Sequence, residues 1–135
     1  RRLQRADIEA EVVPAAGIAA AAVAADVVLV EAMAAGPGEV LAAPGSRALA
    51  SVAYCSEVPT WLVAGRGRRL PEPLFTTMAT RVADVRVPWQ AAAEPVPLAL
   101  FGHVVGPDGV VNAATPGVLD PECPMAHELV KSSPM

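Results

Sequence analysis

The sequence predicts a three-layer α/β fold: a Rossmann-like open sheet, mostly parallel, with helices on both faces. Three observations predict it. Val27–Val30 is a run of four large apolar residues, which suits a central parallel strand covered on both sides. Gly45 and Ser46 form a corner before Arg47–Ser56, where Leu49, Val52 and Ala53 recur at helical spacing. Thr60–Val63 follows as another strand, so strands and helices alternate in the order of crossover units. Ligands of such sheets sit at the carboxyl ends of the strands.

Taken in order, Arg1–Ala6 reads as the end of a helix, with basic residues near its carbonyl end. Ile8–Val13 reads as a strand stopped by Pro14, and Ala15–Ala24 as a helix of small residues. After Val27–Val30, Gly36, Pro37 and Gly38 make a turn, and Val40 and Leu41 a short strand. Ser46 is placed to cap the helix Arg47–Ser56. The basic loop GRGRRLP, 65–71, follows Thr60–Val63 directly. Pro73–Thr80 reads as a short helix, Val82–Val87 as an edge strand, and Gln90–Glu94 as a linker. Val96–Val105 is a further apolar segment, and the GPDG turn at 106–109 precedes Val110 and Val111. The reading gives a domain over 1–111 and a proline-rich carboxyl-terminal tail over 112–135, with a short helix at Pro124–Lys131 and a frayed end.

Composition narrows the function classes. Hydrophobic residues make up 53% and charged residues 18%, against disorder of the whole chain. Aromatics at 4% are too few for a platform that stacks bases, and a net charge of -4 opposes binding to nucleic acid or an anionic membrane. Cys55 and Cys123 make neither a disulfide framework nor a zinc site, and His103 and His127 lack partners at ligand spacing, so no metal is expected. Asp7, Glu9 and Glu11 stand where a signal peptide would be basic, and the apolar run after them is too short to span a bilayer. A cytoplasmic protein follows. The chain opens on Arg1, so it reads as processed, truncated or partial.

The order of these pieces resembles the carboxyl-terminal domain of one family. It contains the alpha, beta and delta subunits of initiation factor 2B, methylthioribose-1-phosphate isomerase and ribose-1,5-bisphosphate isomerase. LQRADIEAEVVPAAGIAAAAVAADVVLVEAMA is similar to the family's helix, strand, helix and strand before a Gly-Ala-Asp signature. GPGEVLAAPGSRALASVAYCSEVPTWLVAG is similar to its glycine turn, Asn-Lys strand, Gly-Thr corner, helix and Val-Pro strand. VPLALFGHVVGPDGVV is similar to its closing segment. The resemblance runs from Leu3 to about Val111.

The departures bear on function. The Gly-Ala-Asp signature falls on Glu31, Ala32 and Met33, so methionine replaces the aspartate that the resemblance assigns to proton transfer. The Asn-Lys pair falls on Ala42 and Ala43, and only Gly45 and Ser46 keep the Gly-Thr corner. The family's reactive cysteine lies in a segment before Leu3, and neither Cys55 nor Cys123 matches it.

Glu31 is the one carboxylate at the end of the central strand and the only catalytic candidate. It stands two positions early, a displacement of about 6–7 Å, which favours a plain strand-end charge over proton transfer. Gly45, Ser46 and Arg47 are candidates to hold a phosphate at a helix amino terminus, against simple capping. Arg66, Arg68 and Arg69 are secondary anion candidates, against a solvated basic loop. Trp61, Trp89, Leu98 and Phe101 are candidates for a subunit contact, and core positions explain them equally well. No cofactor is implied.

The expectation is an initiation-factor-2B-subunit-like protein, catalytically degenerate, acting in binding and oligomerisation as a homo- or hetero-oligomer. The alternative is an aldose-ketose sugar-phosphate isomerase, of the ribose 1,5-bisphosphate or methylthioribose 1-phosphate type, completed by residues outside this sequence. A sugar phosphate or nucleotide is the ligand class considered. Nucleic acid and membrane are excluded as partners. A generic α/β domain with only architectural similarity is the third reading.

Overall fold

The computed structural model describes residues 2–83 and 86–130. Two sheets form where the sequence suggests one. The larger is four-stranded, ordered β1 (Val28–Glu31), β4 (Thr60–Val63), β6 (His103–Gly106) and β7 (Gly109–Asn112). β1, β4 and β6 run parallel, and β7 turns back antiparallel through the 106–109 turn. The smaller sheet is antiparallel throughout: β2 (Ala34–Ala35), β3 (Glu39–Ala42) and β5 (Glu94–Pro97). The α/β class and the Rossmann-like parallel core hold, with this antiparallel unit added beside them.

α1 (Arg2–Arg5) is a single turn, and α2 (Ile18–Ala24) follows a 3-10 turn at Ala15–Gly17. α3 (Ser46–Cys55) lies against α2 and against β1 and β4. Its inward residues, Ala50 and Ala53, are fully buried; with no side chain beyond Cβ, they bring the helix close to the sheet. Val28, Val30, Leu62 and Val104 meet them from the strands and make the main core.

α4 (Glu72–Val82) closes a second cluster, in which Phe75 packs with Ala34, Leu41 and Ala93. Glycine is required at position 36: a Cβ there would come within 2.6 Å of the Phe75 ring. The described carboxyl-terminal residues are also packed. Leu119 is buried in the main core, with Ala113 and Val118 against it. A last 3-10 turn covers His127–Leu129.

Several local expectations change. Ile8–Val13 joins no strand among the described residues, and Val12 is 94% exposed. β propensity does not hold a strand that has no ladder. Among the described residues Val27–Val30 does not belong to a central strand: β1 stands at the end of the four-stranded sheet, with Val28 and Val30 facing the core while Leu29 is 56% exposed. α3 packs on the Val28–Val30 side of this sheet, and Leu29, Trp61, Val63 and His103 share the other. Val82 ends α4 rather than opening a strand, and positions 84–85 of that expected strand lie outside the described residues. The frayed end expected over 132–135 also lies outside them. Cys55, on the last turn of α3, is exposed, as is Cys123.

Candidate functional site

The carboxyl end of β1, the amino end of α3 and the loop after β4 surround a cavity of about 240 Å³. Glu31, Ala32 and Met33 form one wall, Ala43, Ser46 and Leu49 another, and Arg68 reaches in from the loop. The Arg68 side chain is fixed there because Nη1 donates to the Met33 carbonyl at 3.2 Å. Met33 is itself held to the smaller sheet by its N–H, which donates to the Leu41 carbonyl at 2.7 Å. The fold therefore brings together Glu31, Met33, Ser46 and Arg68, four positions singled out from the sequence. Among the described residues its lining carries one cation, Arg68, and one carboxylate, Glu31, with the Met33 thioether beside them.

The amino end of α3 is built differently from the expected cap. Gly45, not Ser46, is the residue before the helix, with φ 94°, a left-handed conformation that glycine adopts without a Cβ clash. No side chain caps the helix locally. Instead the Arg47 N–H donates to Oε1 of Glu94, on β5, at 3.1 Å. The Arg47 guanidinium turns the same way and donates to the Pro95 carbonyl at 3.5 Å. The Ser46 N–H donates to the Ala43 carbonyl. Two of the groups proposed to cradle a phosphate are thus engaged within the chain, and a carboxylate occupies the helix amino end.

The basic loop repeats the arrangement. The N–H groups of Gly67 and Arg69 both donate to Oε2 of Glu122, at 2.9 and 3.1 Å, and Arg69 Nη2 lies 3.4 Å from Oε1. Gly67, at φ 81°, lets the loop curl so that the amides converge. The Arg69 backbone N–H, more than any other group, holds the Glu122 carboxyl below its ordinary value; the Gly67 N–H and the Arg69 charge add to this, and burial opposes it. Arg66, Arg68 and Arg69 therefore do not form one patch: Arg68 turns to the cavity, Arg69 to Glu122, and Arg66 lines neither. Nothing in the local sequence of Glu94 or Glu122 marks them as ligands of amides about 50 positions away.

The contact candidates also divide. Phe101 is buried and Leu98 packs against the main core, so both are structural. Trp61 is half-buried, with its ring centroid 5.5 Å from that of His103. Trp89 is 82% exposed. Among the described residues no three His, Cys, Asp or Glu side chains gather as a metal site, and no helix is long and apolar enough to cross a membrane.

No family model and no curated protein matches the chain. Solved structures do. The translation initiation factor eIF-2B of Pyrococcus horikoshii OT3 superposes with a TM-score of 0.68 at 18% identity, over 83% of this chain and 42% of that one. The eIF2B beta structure from Chaetomium thermophilum gives 0.65 at 18% identity, over 83% and 32%. Subunit delta of eIF-2B from A. fulgidus gives 0.63 at 16% identity, over 82% and 38%. The chain spans less than half the length of each. The resemblance read from the sequence holds at the level of fold, that of the carboxyl-terminal domain of the initiation factor 2B family.

Proposed function

We propose that this chain is an initiation-factor-2B-subunit-like domain that binds and assembles rather than catalyses, and that it works in the cytoplasm with copies of itself or with related subunits. One observation carries the reading: both positions suited to an anion, the amino end of α3 and the 66–69 loop, hold carboxylates of the chain itself, Glu94 and Glu122. A phosphate entering either position would meet a negative charge already bonded to the Arg47 N–H at one and to the Gly67 and Arg69 N–H groups at the other. Aldose-ketose isomerisation also requires an acid and a base on the same few atoms of substrate. Glu31 is the single carboxylate lining the cavity, beside Met33 and Ala43.

The cavity favours a second reading. Arg68 and Ser46 line a space at the carboxyl end of β1, where open sheets take ligands. A sugar phosphate or nucleotide held there, with acid-base groups from outside residues 1–135, would make an isomerase of the ribose 1,5-bisphosphate or methylthioribose 1-phosphate type. Sedimentation equilibrium and an isomerase assay separate the two. The binding reading expects a mass above the 13.8 kDa of one chain that rises with concentration, and no conversion of ribose 1,5-bisphosphate. Turnover that disappears in Glu31→Gln would replace it with the isomerase.

A further inference from the structure

We infer that Glu122 is a positioning residue for Arg68. The segment after β7, residues 113–122, is a strap that ties the 66–69 loop to the main core and so holds the Arg68 guanidinium in the cavity at the carboxyl end of β1. This goes beyond the assembly role proposed above and does not depend on it, because the chain can assemble whether or not the strap sets Arg68.

The strap is anchored before it reaches the loop. The Ala113 N–H donates to the Gly102 carbonyl, just before β6, at 3.0 Å. Leu119 is buried in the main core, with Ala113 and Val118 packed against it. The Asp120 N–H donates to the Gly117 carbonyl at 3.0 Å and closes a turn that leads to the loop. Glu122 stands three residues past Leu119, so the core fixes where its carboxylate falls.

The loop has little packing of its own on that side. Beyond their chain neighbours, neither Gly65 nor Gly67 has an atom within 4 Å of where a Cβ would stand. Within the loop, the Arg68 N–H donates to the Gly65 carbonyl at 3.3 Å, a long bond. Glu122 supplies the rest. Its Oε2 accepts from the residues on both sides of Arg68, and its own N–H donates to the Arg69 carbonyl at 3.0 Å. From the other side, the Ala35 N–H donates to the Arg68 carbonyl at 2.8 Å and the Leu70 N–H to the Ala35 carbonyl at 2.9 Å. Arg68 is thus clamped between the smaller sheet and the strap. Among the described residues it is the one cation lining the cavity. A guanidinium on a long flexible stem keeps its place only if the backbone that carries it keeps its own. Lifting the strap frees the loop and takes the charge out of the cavity.

The test measures ¹⁵N relaxation of the Arg68 Nε–H in the parent chain, in Glu122→Gln and in Glu94→Ala. Glutamine keeps the shape of the side chain but offers a neutral acceptor and sets an NH2 beside one of the donors. In Glu122→Gln the Arg68 order parameter should fall by about half, and those of the Gly67 and Arg69 amides with it, while the β4 amides keep their parent values. Glu94→Ala loses stability through α3 but leaves the bonds of the loop intact, so Arg68 should not change there. A parent-like Arg68 in Glu122→Gln would overturn the inference, because Ala35 and Met33 alone would then hold the loop. An equal fall in Glu94→Ala would overturn it too, as a general loosening. Should Glu122→Gln fail to fold, Glu122→Asp, which keeps the charge and shortens the reach by one methylene, is judged by the same two outcomes.

Discussion

The amino end of α3 and the 66–69 loop solve one problem in two ways. Both present backbone N–H groups at the carboxyl side of the parallel strands, and both hold a carboxylate brought from far along the chain. At α3 a single amide meets Glu94, and the cavity with Arg68 lies beside it. In the loop two amides and a guanidinium meet Glu122, and charge is balanced within the group. The difference teaches that a strand-end anion position can be closed to different depths. The loop is sealed by its own ion pair. The helix end is covered by one hydrogen bond.

That contrast can be broken by substitution. Glu122→Ala should give the largest fall in melting temperature of the set, because three donors lose one acceptor together; a fall smaller than that of Glu94→Ala would reverse the ranking. Glu94→Ala should cost about 1 kcal/mol, the usual value of a helix-capping side chain, measured by urea denaturation. Inorganic phosphate should restore part of that loss in Glu94→Ala and none in Glu122→Ala, where the loop has lost its order. Ser46→Ala should stay within about 0.5 kcal/mol of the parent, since Ser46 caps nothing. A loss near 1 kcal/mol would return the capping role to Ser46.

The pH dependence sharpens the same comparison. The Glu122 carboxyl is lowered in the folded chain, so it binds fewer protons there than in the unfolded chain. Its contribution is complete above the ordinary glutamate value of 4.5 and disappears as the pH falls through the lowered one. Glu122→Gln should flatten the acid limb of a stability-against-pH curve, and an unchanged limb would remove Glu122 from the loop's account.

Much of the fold is legible in the sequence where the signals are local. The spacing of Leu49, Val52 and Ala53 marks α3 to within one residue at each end, and Thr60–Val63 matches β4. What is not legible depends on neighbours remote in sequence. Val27–Val30 is apolar throughout, but periodicity does not tell a central strand from an edge whose outer face is open. Ile8–Val13 has strand composition and pairs with no strand among the described residues. The Gly-Pro-Gly turn is read correctly, while the need for Gly36 arises from Phe75, on a helix 39 positions later. The site divides in the same way. Glu31, Met33, Ser46 and Arg68 are legible because each lies at the end of a strand or within five residues of one. Glu94 and Glu122 are not, because each is defined by amides 47 to 55 positions away.

Isothermal titration of ribose 5-phosphate into the 135-residue chain and into Glu94→Ala tests the central claim most directly. With carboxylates already seated at both anion positions, the parent should give no saturable heat, and Glu94→Ala should bind weakly at the α3 end. Saturable binding by the parent that is unchanged by Glu94→Ala would contradict it.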